Sequence, residues 1–123
     1  DKLKNHNIFL RTIGSRREMI DELKHSRVLL YLGHKSDIFT LTAEEAIKLC
    51  VPVITYGIGS LSERVSHGNN GFIAKNSSEF AKYTLDLMND DSILRELKAK
   101  MFEKRLELTW SIIADNWIKN FLI

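Results

Sequence analysis

The sequence has 123 residues, the size of one domain, with no room for a second. Its hydrophobic fraction of 44% and charged fraction of 28% are ordinary for a globular protein and exclude a disordered or fibrous chain. A formal charge of +2, from nearly equal numbers of acids and bases, provides no concentrated basic face, so we predict no nucleic-acid partner.

Two local excesses of basic residues stand out from this balance: Arg16–Arg17 and Lys98–Arg105. Each is interpreted as the solvated face of a helix, and peripheral contact with an anionic membrane surface is the alternative. The single cysteine, Cys50, excludes an internal disulfide, and its apolar neighbours predict a small buried side chain. The longest apolar run, Val28–Leu32, is far too short to span a bilayer, and we predict a cytoplasmic protein.

Four short apolar runs have the length and composition of strands. They lie at residues 7–10, 28–32, 52–56 and 72–74. Uninterrupted apolar runs are typical of parallel strands that are covered on both faces, and helical patterns separate them here. This alternation predicts a single α/β domain, a Rossmann-like parallel sheet with helices on both faces. Ligands of such folds bind at the carboxyl ends of the strands.

The helices are marked by caps and by apolar residues at helical spacing. Ser15 and Glu18 form a capping-box pattern, which predicts a helix over about 16–25. Two further helices are predicted, over about 41–50 and near 61–66.

The remainder of the chain is predicted to be helical, with caps at Asn76, Asp90 and Thr109. In the last helix Trp117 and Phe121 recur at a four-residue step. This spacing predicts a helix face that packs against the rest of the domain.

The loop after the second predicted strand carries the most informative side chains. It runs from Asp37 through Thr40 into a helix N-terminus, where unpaired amides and a partial positive charge favour a phosphate. Glu45, on the second turn of that helix, is placed to accept hydrogen bonds from vicinal hydroxyls. Taken singly, Thr40 is more typical of a plain N-cap, and Glu45 of a solvated helix charge.

Between Val28 and Ala74, the motifs resemble the C-terminal domain of the retaining family 4 (group 1) glycosyltransferases. Those enzymes carry two carboxylates separated by seven residues, ahead of a run similar to EAMACGVPVI. A Gly-Gly loop, a Pro-Glu pair and a DGxNG turn follow. Here Asp37 and Glu45 hold that spacing, and EAIKLCVPVI follows from Glu45. The later motifs are matched at Gly59, Glu63 and 68–71.

The resemblance implies a role for each matched residue. Asp37 would be catalytic, facing the donor sugar and stabilising positive charge as the glycosidic bond breaks, and Glu45 would hold the ribose hydroxyls. Residues 39–41 would offer backbone amides to the diphosphate, and the segment that contains Ile13 would pass near the base. The implied donor-binding residues besides Glu45 are Ile13, Ile38, Phe39, Thr40, Leu41, Gly59 and Ser60.

The sequence departs from the family pattern at several of these positions. The first carboxylate is Asp37 where the family usually has Glu, and Ile38 and Thr40 stand where glycines usually flank Phe39. Since glycine permits close backbone approach to phosphate, Ile38 is expected to crowd the donor or alter the sugar preference. Ser60 stands in place of the second glycine of the Gly-Gly loop.

The resemblance also implies two partners, a nucleoside diphosphate-sugar donor and an acceptor-binding N-terminal domain of the same parent chain. Family members begin this domain with a strand–helix unit whose Arg and Lys clamp the diphosphate, and nothing before Asn7 matches that unit. We therefore expect a truncated C-terminal domain, residues 1–123, that alone binds the donor weakly and transfers no hexose. No cofactor besides the donor is expected, and without an Asp-x-Asp pair or a His/Cys cluster no metal is implied.

Two other functions stay open from the sequence. A non-catalytic, degenerate glycosyltransferase fold kept for binding or assembly is favoured somewhat by Ile38 and Thr40. A generic doubly wound receiver or nucleotide fold is less favoured, because the acidic pocket of a phospho-receiver is missing. His34 is interpreted as a loop-stabilising residue, with donor contact as the alternative, and His67 as a turn residue.

Overall fold

The computed structural model describes residues 13–105 and 109–122. The elements in these ranges are α1 (Arg16–Lys24), β1 (Leu29–Leu30), α2 (Leu41–Lys48), β2 (Val53–Thr55), α3 (Leu61–Arg64), β3 (Gly71–Ile73), α4 (Ser77–Asn89), α5 (Asp91–Lys104), α6 (Trp110–Trp117) and a π-helical segment (Ile118–Leu122). The strand predicted at residues 7–10 lies outside the described residues.

β2 is the central strand of the described sheet, which is parallel and has the order β1-β2-β3. Val53 pairs with Leu29 on one side and with Gly71 on the other. All three residues of β2 are fully buried, at 0% exposure, as expected of a strand that is covered on both faces. The predicted α/β fold is therefore confirmed.

Successive residues of β2 enter two separate hydrophobic clusters, because side chains of a strand alternate between its faces. Val53 packs with residues of α1 and α2, whereas Ile54 packs with residues of α4 and α5. The buried residues that these four helices contribute are Leu23, Ala43, Ala46, Leu87, Leu94 and Leu97. The domain thus has three layers, with the sheet between two pairs of helices.

The four predicted N-cap residues are confirmed. Side-chain oxygens that accept first-turn amides belong to Ser15, Asn76, Asp90 and Thr109. At α5 the hydroxyl of Ser92, and then the amides of Ser92 and Ile93, donate to Asp90 and lower the pKa of its carboxyl. Because folding lowers that pKa, the ionised carboxylate of Asp90 stabilises the folded protein at neutral pH. This contribution is lost as the pH falls through the lowered pKa.

Several predicted boundaries differ from the observed ones, and three of the differences have a local structural cause. β1 is shorter than the predicted strand at 28–32. The backbone amide of Tyr31 still donates to the carbonyl of Ile54 at 2.9 Å, but Gly33, with φ of 94°, then turns the chain away from the sheet. α3 ends before residue 65 because Val65 is extended. β3 begins one residue earlier than predicted, at Gly71, since that residue pairs with β2.

The aromatic face of the last helix does not pack as predicted. Trp117 and Phe121 contact each other, with ring centroids 5.3 Å apart, yet they are 62% and 73% exposed. Both faces of the described sheet are already covered by α1, α2, α4 and α5. The prediction that this helix face packs against the rest of the domain is therefore wrong for the described part of the chain. None of the helices described is both long enough and apolar enough to cross a bilayer.

α2 ends in a Schellman motif whose left-handed residue is Cys50. The amide of Val51 donates to the carbonyl of Ala46 at 2.8 Å, and the amide of Cys50 donates to that of Ile47 at 3.0 Å. Cys50 has φ of 57°, at a position where glycine is usual. The thiol is half-buried rather than buried as predicted, because the turn holds this residue at the edge of the core.

The left-handed conformation predicts an unusual response to substitution at this position. We expect Cys50→Gly to be more stable than Cys50→Ala by roughly 1 kcal/mol, because a left-handed non-glycine residue costs about 1–2 kcal/mol and glycine loses part of this gain through chain entropy. Both variants lack the thiol, so their difference in urea unfolding isolates the backbone effect. Equal stability would contradict strain at this turn.

Candidate functional site

The loops that follow β1 and β2 meet at the carboxyl edge of the sheet. The amide of Ser60 donates to the carbonyl of Asp37 at 2.9 Å. The hydroxyls of Thr40 and Ser60 lie 3.2 Å apart, and both side chains are buried, at 4% and 8% exposure. Residues 31–40 and 56–60 are therefore joined as one unit at this edge.

Gly59 permits this close approach of the two loops. Its φ is 66°, and a Cβ atom at this position would lie 2.6 Å from the carbonyl oxygen of His34 and 2.9 Å from that of Asp37. Neither contact is compatible with a side chain. The family glycine at this position is thus explained here by loop packing as well as by backbone conformation.

Asp37 closes the turn in which it lies. Its Oδ2 accepts the amide of His34 at 2.9 Å, and its own amide donates to the carbonyl of His34 at the same distance. The Nδ1 atom of His34 accepts the amide of Ser36 at 3.1 Å. His34 therefore stabilises its loop, as one of the two sequence interpretations predicted, and the carboxylate of Asp37 has a set orientation.

A shallow groove of about 310 Å³ opens beside this turn. Its described lining consists of Leu30, Tyr31, Leu32, Gly33, His34 and Asp37. Burial, and secondly the negative charge of Asp37, raise the pKa of the Tyr31 phenol. A phenol, an imidazole and a carboxylate thus border one groove at the carboxyl end of β1.

The N-terminus of α2 has no side-chain cap among the described residues. Thr40 occupies the N-cap position, but its side chain makes no capping bond to a described residue of α2 and turns to Ser60 instead. The N-cap position predicted for Thr40 is therefore confirmed, but its side chain does not cap the helix. The first amides of a helix have no internal acceptor. The side chains of Ile38, Phe39 and Leu41 around them are exposed, at 91%, 54% and 63%.

Arg64 connects this loop with two helices, and sequence reasoning did not identify it. Its guanidinium carbon lies 4.0 Å from the ring centroid of Phe39, and its Nη1 donates to Oε1 of Glu44 at 3.1 Å. The Nε atom is buried and has no hydrogen-bond partner among the described residues. Its sequence neighbours gave no signal, because its partners lie on α2 and on the loop before it.

Glu45 lies on the second turn of α2 and faces α1. Its Oε1 accepts Nε of Arg16 at 2.8 Å. The carboxylate side chain is 17% exposed, whereas that of Arg16 is 75% exposed. Glu45 is therefore neither a core residue nor the solvated helix charge that it would typically be, and the basic face of α1 supplies its partner.

The structure brings four of the predicted residues together directly: Asp37, Thr40, Gly59 and Ser60. Residues 38–41 and Glu45 join them through the start of α2. Ile13 precedes α1 and is fully exposed, so its side chain packs against none of them. No group of three or more His, Cys, Asp or Glu side chains in the described ranges is arranged to hold a metal ion.

The comparisons with known proteins give one match. The model of the family described as "Glycosyl transferases group 1" matches residues 1–105, which include the whole of this site. Neither the curated proteins nor the solved structures contain a match to the chain.

The contact between the loops predicts that Gly59→Ala is costly. A left-handed alanine costs about 1–2 kcal/mol and forced overpacking about 1–3 kcal/mol more. Gly68 is the matched control, because its φ is 78° and a Cβ atom there would meet nothing within 4 Å. Gly68→Ala should lose only the stability that corresponds to the left-handed backbone conformation, about 1–2 kcal/mol. Urea unfolding of both variants measures the difference, and equal losses would show that the loops move apart freely.

Proposed function

Because this chain belongs to the group 1 glycosyl transferases, we propose that it forms the donor-binding domain of a retaining hexosyltransferase. The enzyme would move a hexose from a nucleoside diphosphate-sugar to an acceptor hydroxyl. The observation that carries the proposal is the hydrogen-bonded unit of Asp37, Thr40 and Ser60 beside the N-terminus of α2. It lies at the carboxyl edge of a parallel sheet, where ligands of such folds bind.

Glu45 is the proposed ribose contact. A carboxylate has two oxygens with about four acceptor sites, and Arg16 uses one of them on Oε1. The remaining sites are sufficient for two vicinal hydroxyls. Since the side chain is 17% exposed, ligand reaches it without any rearrangement of the core.

The diphosphate is proposed to lie against the backbone amides of residues 39–41. Partial positive charge and free amides at a helix N-terminus favour an anion there. Thr40 leaves these amides open, because its hydroxyl bonds Ser60. Ile38 is 91% exposed and is the side chain that we expect to touch the donor at this point.

The donor sugar is proposed to occupy the groove beside Asp37. Positive charge develops on the sugar as its glycosidic bond breaks, and a carboxylate with a set orientation stabilises that charge. The bond from the amide of His34 supplies the orientation. A phenol and an imidazole beside it, from Tyr31 and His34, provide further hydrogen-bonding groups for a neutral hexose.

The acceptor is proposed to bind to a second, N-terminal domain of the same parent chain, which closes over the donor edge. We further propose that the whole enzyme is cytoplasmic and acts in carbohydrate biosynthesis. With the acceptor site on the other domain, the 123-residue chain binds the donor but transfers no sugar.

The first test is a titration of the chain with uridine, guanosine and adenosine diphosphate-hexoses, followed by amide shifts in NMR. We expect binding in the millimolar range, with shifts concentrated at residues 37–45 and 57–63. A helix N-terminus contributes at most about 2 kcal/mol to anion binding, so the affinity is modest. Shifts remote from the groove beside Asp37, from the N-terminus of α2 and from Glu45 with its partner Arg16 would contradict the proposed site. Sugar transfer by the chain alone would contradict the two-domain arrangement.

The second test is Glu45→Ala. A carboxylate that accepts two hydroxyls contributes about 1.5–3 kcal/mol, so nucleotide binding should weaken roughly 10- to 150-fold. Glu103→Ala is the matched control, since it removes the same charge from an exposed position on α5. Titrations of both variants with the nucleotide selected above measure the effect. Equal affinities would return Glu45 to a structural role as the partner of Arg16.

A further inference from the structure

We propose that Arg16 is a positioning residue of the donor site: it holds the carboxylate of Glu45 in the orientation that receives the ribose. The inference rests on the proposed function and adds a residue from α1 to a site that otherwise lies on the loops and α2. Its basis is the 2.8 Å bond from Nε of Arg16 to Oε1 of Glu45, which joins two elements 29 positions apart in sequence.

Arg16 is the first residue of α1, and a capping box fixes the backbone there. Glu18 donates its amide to the hydroxyl oxygen of Ser15 at 3.2 Å, and Oε2 of Glu18 accepts the amide of Ser15 at 2.7 Å. This capping box encloses the first residue of the helix. The guanidinium therefore extends from a rigid turn rather than from a free loop.

Arg16 and Glu45 differ in solvent exposure, and this difference indicates which of them holds the other in place. The carboxylate of Glu45 is 17% exposed, so leaving it without a partner would be costly. The side chain of Arg16 is 75% exposed, and its guanidinium uses one of its five N–H groups on Glu45. Glu45 is thus the held partner, and Arg16 can stay bound to Oε1 while hydroxyls occupy the other acceptor sites.

Arg17 provides an unusually close control. It is the next residue of the same helix turn, carries the same charge and is exposed. No carboxylate among the described residues is paired with it. A general effect of positive charge on an anionic ligand would appear in both arginine variants, whereas an effect transmitted by Glu45 would appear at Arg16 alone.

The experiment compares Arg16→Ala, Arg16→Lys, Arg17→Ala, Glu45→Gln and the double variant Arg16→Ala/Glu45→Gln. Each is titrated with uridine, uridine diphosphate and 2′-deoxyuridine diphosphate, or with the guanosine or adenosine set if that base binds better. Dispersion of the amide spectrum and urea unfolding verify that every variant is folded. The readouts are the dissociation constants and the contribution of the 2′-hydroxyl, which a purely structural role would not change.

We expect Arg16→Ala to weaken binding about 2- to 5-fold, the range of an exposed ion pair. The loss should be equal for the nucleoside and the diphosphate, and the contribution of the 2′-hydroxyl should shrink. Arg16→Lys, which keeps the charge without the planar fork, should lie between wild type and Ala. Arg17→Ala should bind as wild type does. In the Glu45→Gln background, Arg16→Ala should have no further effect.

Three results would overturn the inference. If Arg16→Ala weakens the binding of the diphosphate but not of the nucleoside, and does so also in the Glu45→Gln background, Arg16 contacts phosphate directly. If Arg16→Ala and Arg17→Ala bind the nucleotide with equal affinity, while Glu45→Gln binds it more weakly than wild type, positioning by Arg16 is refuted and the proposed function is left intact. Unchanged binding by Glu45→Gln would overturn the proposed function and this inference together.

Discussion

The site depends on one backbone hydrogen bond, from the amide of Ser60 to the carbonyl of Asp37. This bond requires the two loops to lie within van der Waals distance, and only a glycine at position 59 permits it. It holds the loop of β1 against that of β2, and the buried pair of Thr40 and Ser60 hydroxyls continues the contact. Because Thr40 is thereby turned inwards, the helix that follows begins with open amides.

The position of that helix follows from the central strand. β2 divides its side chains between two cores, and Val53 belongs to the one that receives α2. Ala43 and Ala46 bury the inner face of α2 completely, at 0% exposure. Small side chains let the helix approach the sheet closely, so the first turn of α2 lies directly beside the ends of β1 and β2.

Two adjacent carboxylates of α2 pair with different neighbouring helices. Glu44 pairs with Arg64 on α3, whereas Glu45 pairs with Arg16 on α1. Successive residues of a helix are about 100° apart around its axis, so one helix can contact both neighbours in this way. Arg64 in turn covers the ring of Phe39, at 4.0 Å. The candidate site is thus bordered by ion pairs that join three helices.

The sequence alone determined the class of the fold, the caps and the separation of Asp37 from Glu45, because apolar runs, capping residues and motif spacing are local features. It did not predict that Thr40 turns away from its helix, nor that Cys50 is left-handed. The partners of Glu45 and of Phe39 also came only from the tertiary structure. Arg16 and Arg64 are ordinary charged residues in sequence, and their roles arise when helices distant along the chain are packed around one sheet.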